Sequence, residues 1–118
     1  MALPQYQGNQ GDPLRNIENR FLTIINSGFQ QYDLTLDQNT QASFLKLAAR
    51  GATSLVQRIS IEGTDPRKQE KYLEEAEKNL DRIIRLMAIQ TKAGGDNIVN
   101  SKTFITVLKG VCPLWPFC

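Results

Sequence analysis

The chain predicts an all-α fold, an antiparallel helical bundle of three longer helices and a short fourth, and three observations predict it. Apolar residues recur every three or four positions through three long stretches, the mark of helices that bury one face. Two of these stretches open on Asp-Pro, in which the aspartate caps the first turn and the proline loses no hydrogen bond. The links between stretches are brief, which sets neighbouring helices antiparallel. On this reading residues 1–11 form a flexible arm, residues 12–111 the bundle domain, and residues 112–118 an aromatic tail that packs on the bundle or on a partner.

The first helix starts at Asp12-Pro13 and is expected to reach about Tyr32. Leu14, Ile17, Phe21, Ile24 and Ile25 share one face, with Arg15, Glu18, Asn19 and Arg20 largely elsewhere. Gly28 lies inside the pattern at a cost of about 1 kcal/mol against alanine, so it either ends the helix early or allows a close crossing. After a short link over 34–37, Asp37 or Thr40 caps a second helix whose seam reads Leu45, Ala48, Ala52, Leu55 or Val56, and Ile59. Its middle, Ala48, Ala49, Gly51 and Ala52, is small enough for a neighbour to come close, and Gly63 ends it.

Thr64-Asp65-Pro66 repeats the first start signal and opens the most strongly patterned helix. Tyr72 or Leu73, Ala76, Leu80, Ile83 or Ile84, and Met87 form its seam. Lys71 with Glu75, Glu74 with Lys78, and Asp81 with Arg85 stand four apart as opposite charges, each pair adding only about 0.3 kcal/mol, so the seam outweighs the pairs. The repeated Asp-Pro hints at a helical-hairpin repeat, on two dipeptides alone. Gly94-Gly95 breaks the helix. Beyond it, Asn100 or Ser101 caps a fourth segment over 102–109; its run Thr103-Phe104-Ile105-Thr106-Val107 favours strands, but no second strand-like run exists to pair with it. A helix stopped by Gly110 is the consistent reading.

Composition narrows the function. Hydrophobic content of 41% and charged content of 22% are those of an ordinary globular chain, and a net charge of +2 is too small to imply nucleic acid or an anionic membrane by itself. With no histidine, the usual general base near neutral pH and the usual neutral metal ligand are both missing. The acidic cluster Glu74, Glu75, Glu77 and Asp81 then reads as a solvated helix face rather than a metal site. No cofactor or catalytic motif stands out, so an enzyme is not expected. No apolar run approaches the ~20 residues of a membrane helix, residues 1–11 do not resemble a secretory signal, and cytoplasmic residence is the default.

Three features remain as candidate sites. The tail, Cys112-Pro113-Leu114-Trp115-Pro116-Phe117-Cys118, holds the only tryptophan and both cysteines; Leu114, Trp115 and Phe117 either close the end of the bundle or dock on a partner as aromatic anchors. Cys112 and Cys118, six apart with two prolines between them, are able to close a small disulfide loop, although reduced thiols are the norm for a cytosolic chain. Second, Lys46, Arg50 and Arg58 sit in a helix with no acidic residue between Asp37 and Glu62 and form a basic stripe for phosphate contacts. Third, Gly94-Gly95 with the following Ser101, Thr103, Thr106 and Cys112 permits a precursor of a modified peptide, cleaved after Gly95. The leading expectation is a small non-enzymatic interaction protein, an adaptor, assembly factor or complex subunit that meets a protein partner or a second copy of itself through its seams and tail. The alternative is a nucleic-acid-associated helical subunit.

Overall fold

Side-chain caps set where the helices begin. The computed structural model describes residues 3–5, 12–63, 65–111 and 114–117, in the order α1 (Pro13–Gln31), β1 (Thr35–Leu36), α2 (Gln38–Glu62), α3 (Pro66–Ala93), β2 (Ile98–Val99) and α4 (Ser101–Val111). Asp12, Asp37, Asp65 and Asn100 each accept from a backbone N–H of the following first turn: Leu14 at 3.0 Å, Thr40 at 2.7 Å, Arg67 at 3.0 Å and Thr103 at 3.0 Å. These are amides that a helix start otherwise leaves open. Gly63 closes α2 at a φ of 105°, a conformation that costs a side-chain-bearing residue heavily.

The all-α bundle is as expected, with four helices among the described residues. α1 packs against both α2 and α3, and α4 packs against α3 and α2. The 28 residues of α3, about 42 Å of helix, set the 46 Å long axis of the molecule. The apolar seams are satisfied inside one chain: Ile17, Phe21, Leu22, Ile25 and Phe29 of α1 face Leu73, Ala76, Leu80, Ile83, Ile84 and Met87 of α3 in one continuous core. All five phenylalanines are buried. Phe44 meets Phe29 edge-on at 5.1 Å and Phe104 at 4.8 Å, and Phe21 meets Phe117 at 5.1 Å, the offset geometries that aromatic quadrupoles prefer.

Several expectations need correction. The buried face of α2 is Phe44, Leu47, Ala48, Gly51, Ala52 and Leu55, so the seam is wider and shifted from the one read in the sequence; Leu45, Val56 and Ile59 are only half-buried. α2 packs against three neighbours, α1, α3 and α4, which widens its buried face, while Ile61 near its end is 85% exposed. Glu18, placed away from the seam, is 3% exposed, with Arg15 Nη1 at 3.8 Å from its carboxylate. Gly110 does not stop α4, which continues to Val111, a residue packed against the core. The spaced charges of α3 do not pair along the helix. Instead Arg20 of α1 reaches across to Glu77 at 2.8 Å and Glu70 at 3.6 Å.

Two further features were not read from the sequence. β1 and β2 pair in parallel, Thr35 with Ile98 and Leu36 with Val99, which presents the fold as two helix-strand-helix halves, each with an Asx cap between strand and second helix. Two residues per strand are too few to leave a period-two pattern. The N-terminal arm, expected to be flexible, is docked at residues 3–5: Leu3 is 3% exposed, its N–H donates to Asn26 Oδ1 at 2.7 Å, and Asn26 Nδ2 donates back to Leu3 O at 3.2 Å. Gln5 Nε2 adds a 2.7 Å bond to Thr23 Oγ1. Gly28 does not end α1 but serves a close crossing, since a Cβ there would collide with the Ile84 side chain.

Candidate interaction surface

The tail returns onto its own bundle. Leu114 N donates to Val111 O at 3.0 Å and Phe117 N to Leu114 O at 2.9 Å, so a tight turn around a cis Trp115-Pro116 peptide follows directly from α4. Asn79 of α3 holds that turn, its Nδ2 donating to Trp115 O at 2.6 Å. Phe117 enters the core at 2% exposure over the small middle of α2, where a helix crossing had been anticipated and a phenylalanine ring stands instead. Pro116 is buried with it. Of the three tail anchors, Phe117 is therefore consumed within the chain, while Leu114 and Trp115 stay half-buried and partly accessible.

Trp115 lies at the surface in a defined cluster. Its ring stands edge-to-face with Tyr72 at 6.1 Å, and the Arg58 guanidinium lies 5.1 Å from the Trp115 centroid and 5.3 Å from that of Tyr72. A delocalised cation over two negative ring faces is held electrostatically as well as by contact, and its stem covers apolar surface. Three elements build this cluster: α2 brings Arg58, α3 brings Tyr72, and the tail brings Trp115. Ile61, one turn along from Arg58, extends it with an almost fully exposed aliphatic side chain.

The basic stripe divides. Lys46 and Arg58 are twelve residues apart, which at about 100° per residue is about 120° around the helix, and the structure sends Arg58 to the aromatic cluster. Lys46 and Arg50 instead flank a depression of about 150 Å³ between α2 and α4, with Leu47, Phe104, Leu108 and Phe117 beneath them. The possible disulfide partners Cys112 and Cys118, with Pro113, lie outside the described residues. Glu74, Glu75, Glu77 and Asp81 do not converge, and among the described residues no acidic or cysteine cluster is arranged to hold a metal ion. A larger depression of about 550 Å³ beside the arm is lined by hydroxyls and carboxamides together with Phe29 and Leu34, with Asp33 its one ionisable side chain among the described residues. No helix of the described residues is long and apolar enough to cross a membrane.

Sequence reasoning found Trp115 and Arg58 but not their meeting. Tyr72 was read only as a seam position, and Ile61 not at all. An isoleucine two residues before the helix-ending Gly63, outside the apolar seam, was the signal available.

No family model, curated protein or solved structure matches this chain.

Proposed function

We propose that this protein is a small, non-enzymatic interaction module that contacts a partner protein through the surface built by Arg58, Ile61, Tyr72 and Trp115. The observation that carries the reading is the Arg58 guanidinium held against both the Tyr72 and Trp115 rings beside the 85% exposed Ile61. Tryptophan, tyrosine and arginine are the residues that dominate binding energy at protein interfaces. Here they are pre-ordered by one another and by the Asn79 bond to the tail, so less side-chain entropy is lost when a partner arrives. An exposed aliphatic next to such a cluster is the pattern of a contact surface rather than of a scattered surface residue.

Capture of interacting proteins by the full chain and by Ile61→Gln and Arg58→Ala variants tests it. A partner recovered by the wild type and lost with Ile61→Gln, at an unchanged melting temperature, is the expected result. Equal recovery by all three proteins would remove this surface from the function.

A further inference from the structure

α2 as far as its last residue, Glu62, and the whole of α4 carry cations without carboxylates. From Gln38 to Ile61 and from Ser101 to Val111 there are five cations, Lys46, Arg50, Arg58, Lys102 and Lys109, and no carboxylate. Of these, Arg58 is engaged on the aromatic cluster, and Lys46 and Arg50 stand one turn apart on α2, both exposed and neither in an ion pair among the described residues. Between them and α4 lies the 150 Å³ depression, floored by Leu47, Phe104, Leu108 and Phe117. The depression is partly open to solvent and has room for a single side chain. The combination is an apolar socket for a single side chain with two cations on its rim.

We infer that this socket binds an acidic peptide segment of a partner protein, in which one aromatic or branched aliphatic side chain fills the depression and flanking carboxylates pair with Lys46 and Arg50. Charge complementarity selects the occupant: the rim offers two donors and no acceptor of opposite sign, and Arg50 presents a planar fork matched to a carboxylate. The depression holds one side chain, and among the described residues Lys46 and Arg50 are the only cations in its lining, so it offers no continuous cationic track along which a nucleic-acid backbone would run. The site is separate from the Trp115 surface and is lined by different side chains, so either can fail without the other.

The test uses the full chain and a fluorescein-labelled peptide with one phenylalanine flanked by glutamates, followed by fluorescence anisotropy at low and physiological salt. The expected result is saturable binding that weakens about tenfold with Lys46→Gln/Arg50→Gln, the loss set by two rim ion pairs, and weakens again when the peptide phenylalanine becomes serine. Both substitutions are at exposed positions, and an unchanged melting temperature shows that the fold is kept. The Ile61→Gln variant binds the peptide as the wild type does. No saturable binding at low salt overturns the proposal. Equal affinity for the serine peptide, or for a single-stranded oligonucleotide of the same charge, overturns it too, because the site would then be a charged patch without a socket.

Discussion

The ring of Phe117 rests on the bare Cα of Gly51, with Phe117 Cε1 2.5 Å from where a Cβ would stand. A residue from the tail and a residue from the middle of α2, far apart in sequence, thus define one contact, and the absence of a side chain at Gly51 is what makes room for it. The glycine is costly in a helix interior by about 1 kcal/mol, and the burial of a phenylalanine offsets that cost.

Gly51→Ala is expected to act with opposite signs in two backgrounds. In the wild type the new methyl overpacks against the ring, at a cost of about 1–3 kcal/mol that exceeds the helix-propensity gain of about 1 kcal/mol, so the protein loses stability. In a Phe117→Ala background the ring is gone and the same change should stabilise by about 1 kcal/mol. Chemical denaturation of the four proteins of this double-mutant cycle measures the coupling. Additive effects would mean that Phe117 does not occupy that seat.

Truncating the two large tail rings separates cap from contact. Phe117→Ala removes a side chain buried to 2% and should cost about 3–5 kcal/mol, a large share of the stability of a small domain. Trp115→Ala removes a half-buried ring whose exposed cation–π contact with Arg58 contributes about 0.5–1 kcal/mol, so it should cost clearly less. Thermal melts of both variants decide the order, and a larger loss at Trp115 would place the structural weight of the tail on the wrong residue.

Asp37 ties acid stability to the start of α2. Its carboxyl is held below the ordinary value of 3.8 by the Thr40 side chain, then by the Thr40 amide at 2.7 Å, against an opposing effect of desolvation, with the Ser101 amide of α4 adding to the lowering. The Thr40 hydroxyl sits beside the carboxylate without a well-aligned bond, so the amide is the firmer contact. A carboxyl whose folded value is depressed favours the folded state above its unfolded value and loses that contribution as pH falls through the folded value. Asp37→Asn keeps a capping oxygen but does not titrate. The difference in melting temperature between wild type and variant should therefore be present above about pH 4 and shrink below it, as measured by melts across an acid series. A difference that stays constant into strong acid would show that the charge at Asp37 is not what matters.

How much was legible in the sequence depended on how many neighbours each element has. The seam of α3 was legible up to Met87, with Leu73 deciding over Tyr72 and both Ile83 and Ile84 buried, because its polar residues leave one unbroken apolar stripe; Ala88 and Thr91 extend it. The phase of α2 differs from the one its spacing suggests because its small residues Ala48, Gly51 and Ala52 dilute the stripe, while Phe44 packs between Phe29 of α1 and Phe104 of α4. The basic stripe was legible as residues and not as a site, since helical angle alone does not tell that Arg58 will find two aromatic rings.

The sequence by itself determined the helical class, the Asp-Pro starts of α1 and α3, the glycine at the end of α2, the seam of α3 and three positions of the α1 seam, Ile17, Phe21 and Ile25, because caps, breakers and amphipathic period act within a turn or two of chain. Only the tertiary structure decided the pairing of β1 with β2, the docking of Leu3 on Asn26, the seat of Phe117 on Gly51 and the assembly of Arg58, Tyr72 and Trp115. Each of these joins positions tens of residues apart. Their energy comes from surface buried once the helices have packed, and no local pattern in the chain encodes which distant side chain will arrive to bury it.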